Sequence, residues 1–214
     1  MTTQEQAAPA AAKGRGARAM VLAITGVLAI GGAIVFGVLF WMNQRHTDVW
    51  VSGMTDGEQG LSVTLAHEPL STEGSRYLFA TDLSWDELVA EFEAVYPDGA
   101  ETSDGDWAVA IDGTVYVLTE LAEPEGYVVE AQFVLLGDTE SGGVNVPMPA
   151  SALEPDVIAE GEPVDAGWDL ERWGEFYDLL GIAGDAGEFT VPTSDGGDAL
   201  VTVDSAGIAV VERR

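Results

Sequence analysis

Residues 102–118 read TSDGDWAVAIDGTVYVL, and residues 193–211 read TSDGGDALVTVDSAGIAVV. The second stretch takes one extra Gly in its first loop and one extra residue in its turn. Its apolar positions then fall on those of the first: Val109 with Val201, Ile111 with Val203, Val115 with Ile208, and Val117 with Val210. Each stretch reads as a strand, a tight turn starting at an Asp (Asp112 or Asp204), and a second strand. Asp112-Gly113 suits a two-residue hairpin turn, whose two central residues both need positive φ.

A helix is predicted before each hairpin. The first opens at Ser84 with Glu87 three residues on, a capping-box spacing. Trp85, Leu88, Val89, Phe92 and Tyr96 form its apolar stripe, and Pro97 ends it. The second opens at Asp169, lines one face with Leu170, Trp173, Phe176, Tyr177 and Leu180, and stops at Gly181. Two helix–strand–strand repeats follow from this comparison; chance likeness between acidic hairpins is the alternative.

Further strands are expected at Val49–Met54 and Leu61–Ala66, which can pair, and over Tyr127–Leu136; Arg76–Ala80 reads as an extended lead into the first helix. The fold class is therefore α+β, an antiparallel-sheet domain with helices packed on it. The expected organisation is a disordered cytoplasmic tail at 1–18, a transmembrane helix at 19–42, a first α+β unit at 43–136, a linker or long loop at 137–167, rich in Gly, Pro, Ser and acids, and a second unit at 168–214.

The membrane segment is Met20–Met42, MVLAITGVLAIGGAIVFGVLFWM, 23 residues without a charge. Such a helix is about 34 Å long, enough for a hydrocarbon core of about 30 Å. It runs into Trp41-Met42-Asn43-Gln44-Arg45 with no small-x-small cleavage site, which favours an uncleaved anchor over a signal peptide. Lys13, Arg15 and Arg18 precede it and Arg45 alone follows closely, so the positive-inside rule places the N-terminus in the cytoplasm and the rest outside. Thr25, Ala29, Ala33 and Gly37 recur every four residues, a small-residue ladder that lets two helices approach and points to a homodimer or a partner helix.

Beyond Asn43 the chain has five Arg and no Lys against 36 Asp and Glu, a formal charge of −31. That charge repels phosphate backbones and anionic lipid headgroups, so no nucleic-acid partner is expected, and basic peptides, basic protein surfaces and cations are favoured. The bland reading is a solvated acidic surface, as suits a high-GC bacterial or salt-adapted proteome. Without Cys there is no disulfide, thiolate metal site or Cys nucleophile. His46 and His67 are the two histidines; no G-x-S-x-G elbow presents a serine, and His67 reads as a surface or satisfied residue rather than a base. Phosphate-binding loops and dinucleotide fingerprints are absent.

One chemical hypothesis comes from the matched loops. Asp104 and Asp106 in the first, with Asp195 and Asp198 in the second, offer carboxylates spaced by Gly that can hold a divalent metal, Ca²⁺ by preference. Neither loop completes an EF-hand, and Asp and Gly are also the usual turn residues before a strand. No other cofactor is expected. Two function classes remain: a membrane-anchored, non-enzymatic binding module or accessory subunit of a bacterial envelope complex, and a small carboxylate-dependent hydrolase, with or without a metal. An apolar pocket that gathers carboxylates with raised pKa separates them, because catalysis by acids needs one.

Overall fold

A computed structural model describes residues 46–55, 60–122, 125–137, 142–149 and 157–214. The apolar segment 20–42, with its ladder Thr25, Ala29, Ala33 and Gly37, lies outside them. No helix among the described residues is long and apolar enough to cross a membrane.

The described chain is α+β. In order it forms β1 (His46–Ser52), β2 (Gly60–Ala66), β3 (Glu68–Glu73), β4 (Arg76–Ala80), α1 (Trp85–Val95), β5 (Ala100–Glu101), β6 (Trp107–Ile111), β7 (Thr114–Leu121) and β8 (Gly126–Gln132). There follow β9 (Val134–Leu136), β10 (Val144–Val146), β11 (Val157–Ile158), β12 (Pro163–Asp165), α2 (Leu170–Leu179), β13 (Glu188–Pro192), β14 (Asp198–Val203) and β15 (Ile208–Arg213). A six-stranded sheet runs β3-β4-β8-β7-β6-β5 and a four-stranded sheet runs β12-β15-β14-β13. A hairpin β1-β2 and a small sheet β10-β9-β11 complete the fold, and every pairing is antiparallel except β9 with β11.

Local chemistry accounts for the hairpins and the helices. Asp112 and Gly113 both take positive φ, 48° and 81°, as a tight turn between β6 and β7 requires. At the start of α1 the Ser84 amide donates to Glu87 Oε2 at 3.0 Å, and this pulls the Glu87 carboxyl below its ordinary pKa. At the start of α2 the Arg172 amide donates to Asp169 Oδ1 at 3.0 Å, and Gly181 leaves the helix at φ 70°. Leu83 and Trp168 precede the two caps, and Leu88 and Trp173 lie one turn inside, the positions of a hydrophobic staple.

Each helix is followed by three antiparallel strands, β5-β6-β7 after α1 and β13-β14-β15 after α2. The loops between the first two strands share their bonding. Thr102 donates to the Asp106 carbonyl and Gly105 to the Thr102 carbonyl; Thr193 donates to the Gly197 carbonyl and Gly196 to the Thr193 carbonyl. Gly105 and Gly196 sit at φ 85° and 81°.

Two departures from the sequence reading have plain causes. The stretch read as one strand over Tyr127–Leu136 divides at Phe133: β8 stays in the large sheet while β9 pairs with β10 and β11. Residues 137–167, expected as linker or loop, contribute β10, β11 and β12 to two sheets, because Val144, Val146, Ile158 and Val164 are apolar enough to be buried among the polar residues around them.

The large sheet is buried on both faces along β6 and β7. Trp107, Val109, Tyr116 and Leu118 face a core with Leu88 and Phe92 of α1, Phe79, and Val49, Val51, Leu61 and Val63 of the β1-β2 hairpin. Burial pushes the Tyr116 hydroxyl up to about 12. Ala108 and Val115 face the other way, into a core with Trp173, Phe176 and Tyr177 of α2 and with Phe189, Val191, Val201, Ala209 and Val211 of the four-stranded sheet. Successive strand residues point to opposite faces, so two strands serve both cores.

Candidate ligand cleft

Helix α2 covers only part of the second face of the large sheet. Beside it lies an open cleft of about 620 Å³, within the range of small-ligand sites. Its floor is two adjacent cross-strand rows. One runs Ala108, Val117, Glu130 and Arg76, each in register with the next across β6, β7, β8 and β4. The other brings Asp106, just before β6, to Thr119 on β7 and Val128 on β8. Trp168, Phe176 and Leu179 make the opposite wall.

The wall is held by a close approach. A Cβ on Gly207, in the β14–β15 turn, would fall 1.7 Å from the Trp168 carbonyl oxygen, so only Gly lets that turn meet the start of α2. The Trp173 indole N–H donates to the Gly207 carbonyl at 3.1 Å in the same contact. Trp168 packs edge-on against Trp173 and Phe176, with ring centroids 5.5 and 5.7 Å apart.

One end of the cleft is bridged by the β5–β6 loop. Ser103 Oγ donates to Glu175 Oε2 at 2.7 Å, and Asp104 forms an ion pair with Arg172. The Arg172 guanidinium also lies over the Trp168 ring, 4.5 Å from its centroid. Both members of the ion pair are well exposed, so water screens it.

Asp106 is an acid of the cleft whose pKa is shifted. Desolvation raises its pKa above the ordinary value, and the neighbouring Asp104 carboxylate adds to the rise; a hydrogen bond from Thr119 and the Arg172 charge pull the other way. The lining carries six carboxylates (Glu101, Asp104, Asp106, Glu130, Glu175, Asp178) and two guanidiniums (Arg76, Arg172), a formal charge of −4.

The four acids proposed as metal ligands are placed differently from one another. Asp104 and Asp106 both line the cleft, the first paired with Arg172 and the second hydrogen-bonded to Thr119. Asp195 accepts from Thr193 Oγ at 2.6 Å and the Gly197 amide at 3.3 Å and pairs with Arg213; these contacts lower its pKa, the Thr193 hydrogen bond foremost. Asp198 is exposed at the start of β14. Among the described residues no group of three or more His, Asp or Glu is gathered tightly enough to hold a metal ion. His67 is buried, its Nδ1 3.2 Å from the Leu65 carbonyl oxygen and its Nε2 2.8 Å from the Tyr77 hydroxyl, and it is remote from the cleft lining.

Thr119, Val117, Val128, Trp168 and Arg172 were not singled out as functional by the sequence reading. Two signals pointed toward them: Trp168 stands at the staple position before a helix cap, and β7 is apolar at successive residues, the mark of a strand covered on both faces. Comparison with protein families, curated proteins and solved structures finds no match for this chain.

Proposed function

We propose that this protein is a membrane-anchored extracytoplasmic binding module of a bacterial envelope, held by residues 20–42 with its N-terminus in the cytoplasm, and that the acidic domain binds a basic segment of a partner protein or peptide. One observation carries the reading: a cleft of small-ligand size whose floor mixes apolar and charged residues and whose lining is net acidic, on a domain whose overall charge has the same sign. Such a surface attracts cations and repels phosphate and anionic lipid. The ladder Thr25, Ala29, Ala33 and Gly37 supports pairing of two anchors. The shared loop bonding around Gly105 and Gly196 supports a duplicated helix–strand–strand unit, with the strands and loop of the first copy and the helix of the second lining the cleft.

The test uses the full chain in native membranes. A photocrosslinker replacing Val117, in the cleft, is compared with one replacing Asp185, outside it. Adducts specific to Val117 that map to a Lys- or Arg-containing segment of an envelope protein are expected. Adducts equal at both positions, or none at Val117, count against the reading. Protease added to intact cells should digest the domain beyond Asn43; its protection while an external control is cut would reverse the orientation.

A second reading, a carboxylate-dependent hydrolase, has one observation in its favour: Asp106 is an acid with a raised pKa in a cleft. Asp104, the carboxylate whose charge acts on it, is bound to Arg172 rather than left as a second reacting group. Hydrolysis of a peptide or glycan that Asp106→Asn abolishes would establish this alternative.

A further inference from the structure

We infer that the Asp106 end of the cleft is a subsite for an ammonium or guanidinium group at the tip of an apolar stem, the Lys or Arg side chain of an extended basic segment. This deepens the binding-module reading and rests on it.

The geometry favours that occupant on three counts. First, Asp106 and Thr119 lie beside two valines of the lining, Val117 two residues from Thr119 along β7 and Val128 across from it on β8. Asp106 lies two residues before Ala108, the cross-strand partner of Val117, and such diagonal neighbours are about 7–8 Å apart. The methylene stem of a Lys or Arg therefore covers the distance from Val117 to the acid while its head reaches the carboxylate, as such side chains do when they bury the stem and keep the head polar.

Second, the charge at that end is only partly offset from within: the Arg172 charge acts on Asp106, yet the lining keeps a formal charge of −4. Arg172 is engaged by Asp104 and by the Trp168 ring, and Arg76 lies at the far side of the floor opposite Glu130 in the β4–β8 ladder. Among the described residues no Lys or Arg forms an ion pair with Asp106, whose hydrogen-bond partner is the neutral Thr119 hydroxyl.

Third, the wall already receives a guanidinium. Arg172 over Trp168 beside Asp104 is an internal example of the arrangement assigned to the ligand: a planar cation against an aromatic face with a carboxylate at its edge. An anionic or purely apolar ligand would leave the Asp106 carboxylate desolvated and unpaired, which is the costly outcome for a buried charge.

The experiment titrates the full chain in detergent or nanodiscs, at about 0.15 M salt to screen long-range attraction. The probe is acetyl-Leu-Arg-Leu-amide, beside its citrulline counterpart, which keeps the shape and loses the charge. One-to-one binding of the arginine peptide is expected, with the citrulline peptide about tenfold weaker or more, the size of a charge-assisted hydrogen bond. Asp106→Asn should weaken the arginine peptide by a similar factor and leave the citrulline peptide unchanged. Val117→Phe, which fills the floor, should weaken both. Asp185→Asn removes the same charge outside the cleft and should change neither; thermal melts confirm that each variant is folded.

Equal affinity for the two peptides, equal affinity of wild type and Asp106→Asn, or an equal loss in Asp185→Asn overturns the subsite. So does the absence of saturable binding by the wild type. In each case the binding-module reading stands or falls separately, on whether the Val117 crosslinker captures a basic segment in the membrane.

Discussion

Ser103 and Glu175, 72 residues apart in the chain, are joined by a hydrogen bond of 2.7 Å that ties the β5–β6 loop to helix α2 across the end of the cleft. The Asp104–Arg172 ion pair lies beside it. Both contacts are exposed, and exposed pairs of this kind contribute about 0–1 kcal/mol. Ser103→Ala and Arg172→Gln are each expected to lower unfolding free energy in urea by less than about 1 kcal/mol, with no change in the slope of the transition. A loss above about 2 kcal/mol would mean that the loop belongs to the core rather than to the rim.

Phe92 on α1 and Phe176 on α2 sit in different cores, 0 % and 4 % exposed, and counted from the two caps Phe92 is level with Tyr177 rather than with Phe176. Phe92 meets Trp107 edge-on at 5.4 Å, and Phe176 meets Tyr177 at 5.1 Å. Truncating either to Ala should cost about 3–5 kcal/mol, the usual range for a buried Phe. Chemical denaturation of the single variants checks this; a cost under about 1 kcal/mol at either site would show that its core tolerates the cavity.

Asp106 should weaken the fold at neutral pH. Its pKa is raised in the folded state, whereas in the unfolded chain it titrates near 3.8. Between those two values the folded protein holds more protons than the unfolded one, so this residue's contribution to stability falls as pH rises through the window. Asp106→Asn, which can still accept from Thr119, is expected to melt higher than wild type at pH 7. The gain should be no more than about 4 °C, since 1 kcal/mol moves the midpoint of a domain this size by about 2–4 °C. The difference should vanish once pH is below the unfolded value. An Asn variant that melts lower at pH 7 and equally at low pH would show that the carboxylate stabilises the fold.

Calcium should act only as salt. With Asp104 and Asp195 each paired to an Arg, CaCl₂ and NaCl at matched ionic strength are expected to raise the melting temperature equally by screening the acidic surface. A specific site would add about 2.7 kcal/mol at a hundredfold excess over its dissociation constant. A calcium-specific rise lost in the double variant Asp104→Asn, Asp195→Asn would restore the metal hypothesis.

The parts of the fold legible in the sequence are those decided by a few neighbouring residues. Asp112-Gly113 specifies its own turn, Ser84 with Glu87 and Asp169 with its first turn specify two helix starts, and the apolar runs on either side of the turn specify β6 and β7. The rest depends on residues far apart. Nothing local to Phe133 says that β8 stays in one sheet while β9 leaves for another, and the short apolar pairs in 137–167 become strands only because partners exist to receive them.

The cleft was hidden for the same reason. Its width depends on where α2 crosses the sheet, and that is set by Trp168 and Trp173 meeting Gly207, more than 30 residues later. Asp106 was visible as an acid in a loop, but a turn aspartate and a cleft aspartate have the same sequence signature. What separates them is Thr119 and the apolar floor beside it, which only the strand register brings together.

The most direct test of the account is a methyl NMR titration of the full chain in nanodiscs with the arginine peptide. The cleft predicts its own reporters: Val117, Val128, Leu121 and Leu179 line it, whereas Val49, Val63 and Val211 are buried in the two cores away from it. Saturable shifts concentrated on the first group, with the second group still, are the expected result. Saturable shifts confined to other methyls, or no shifts as the peptide is raised to millimolar concentration, would contradict the claim that this cleft is where the protein binds.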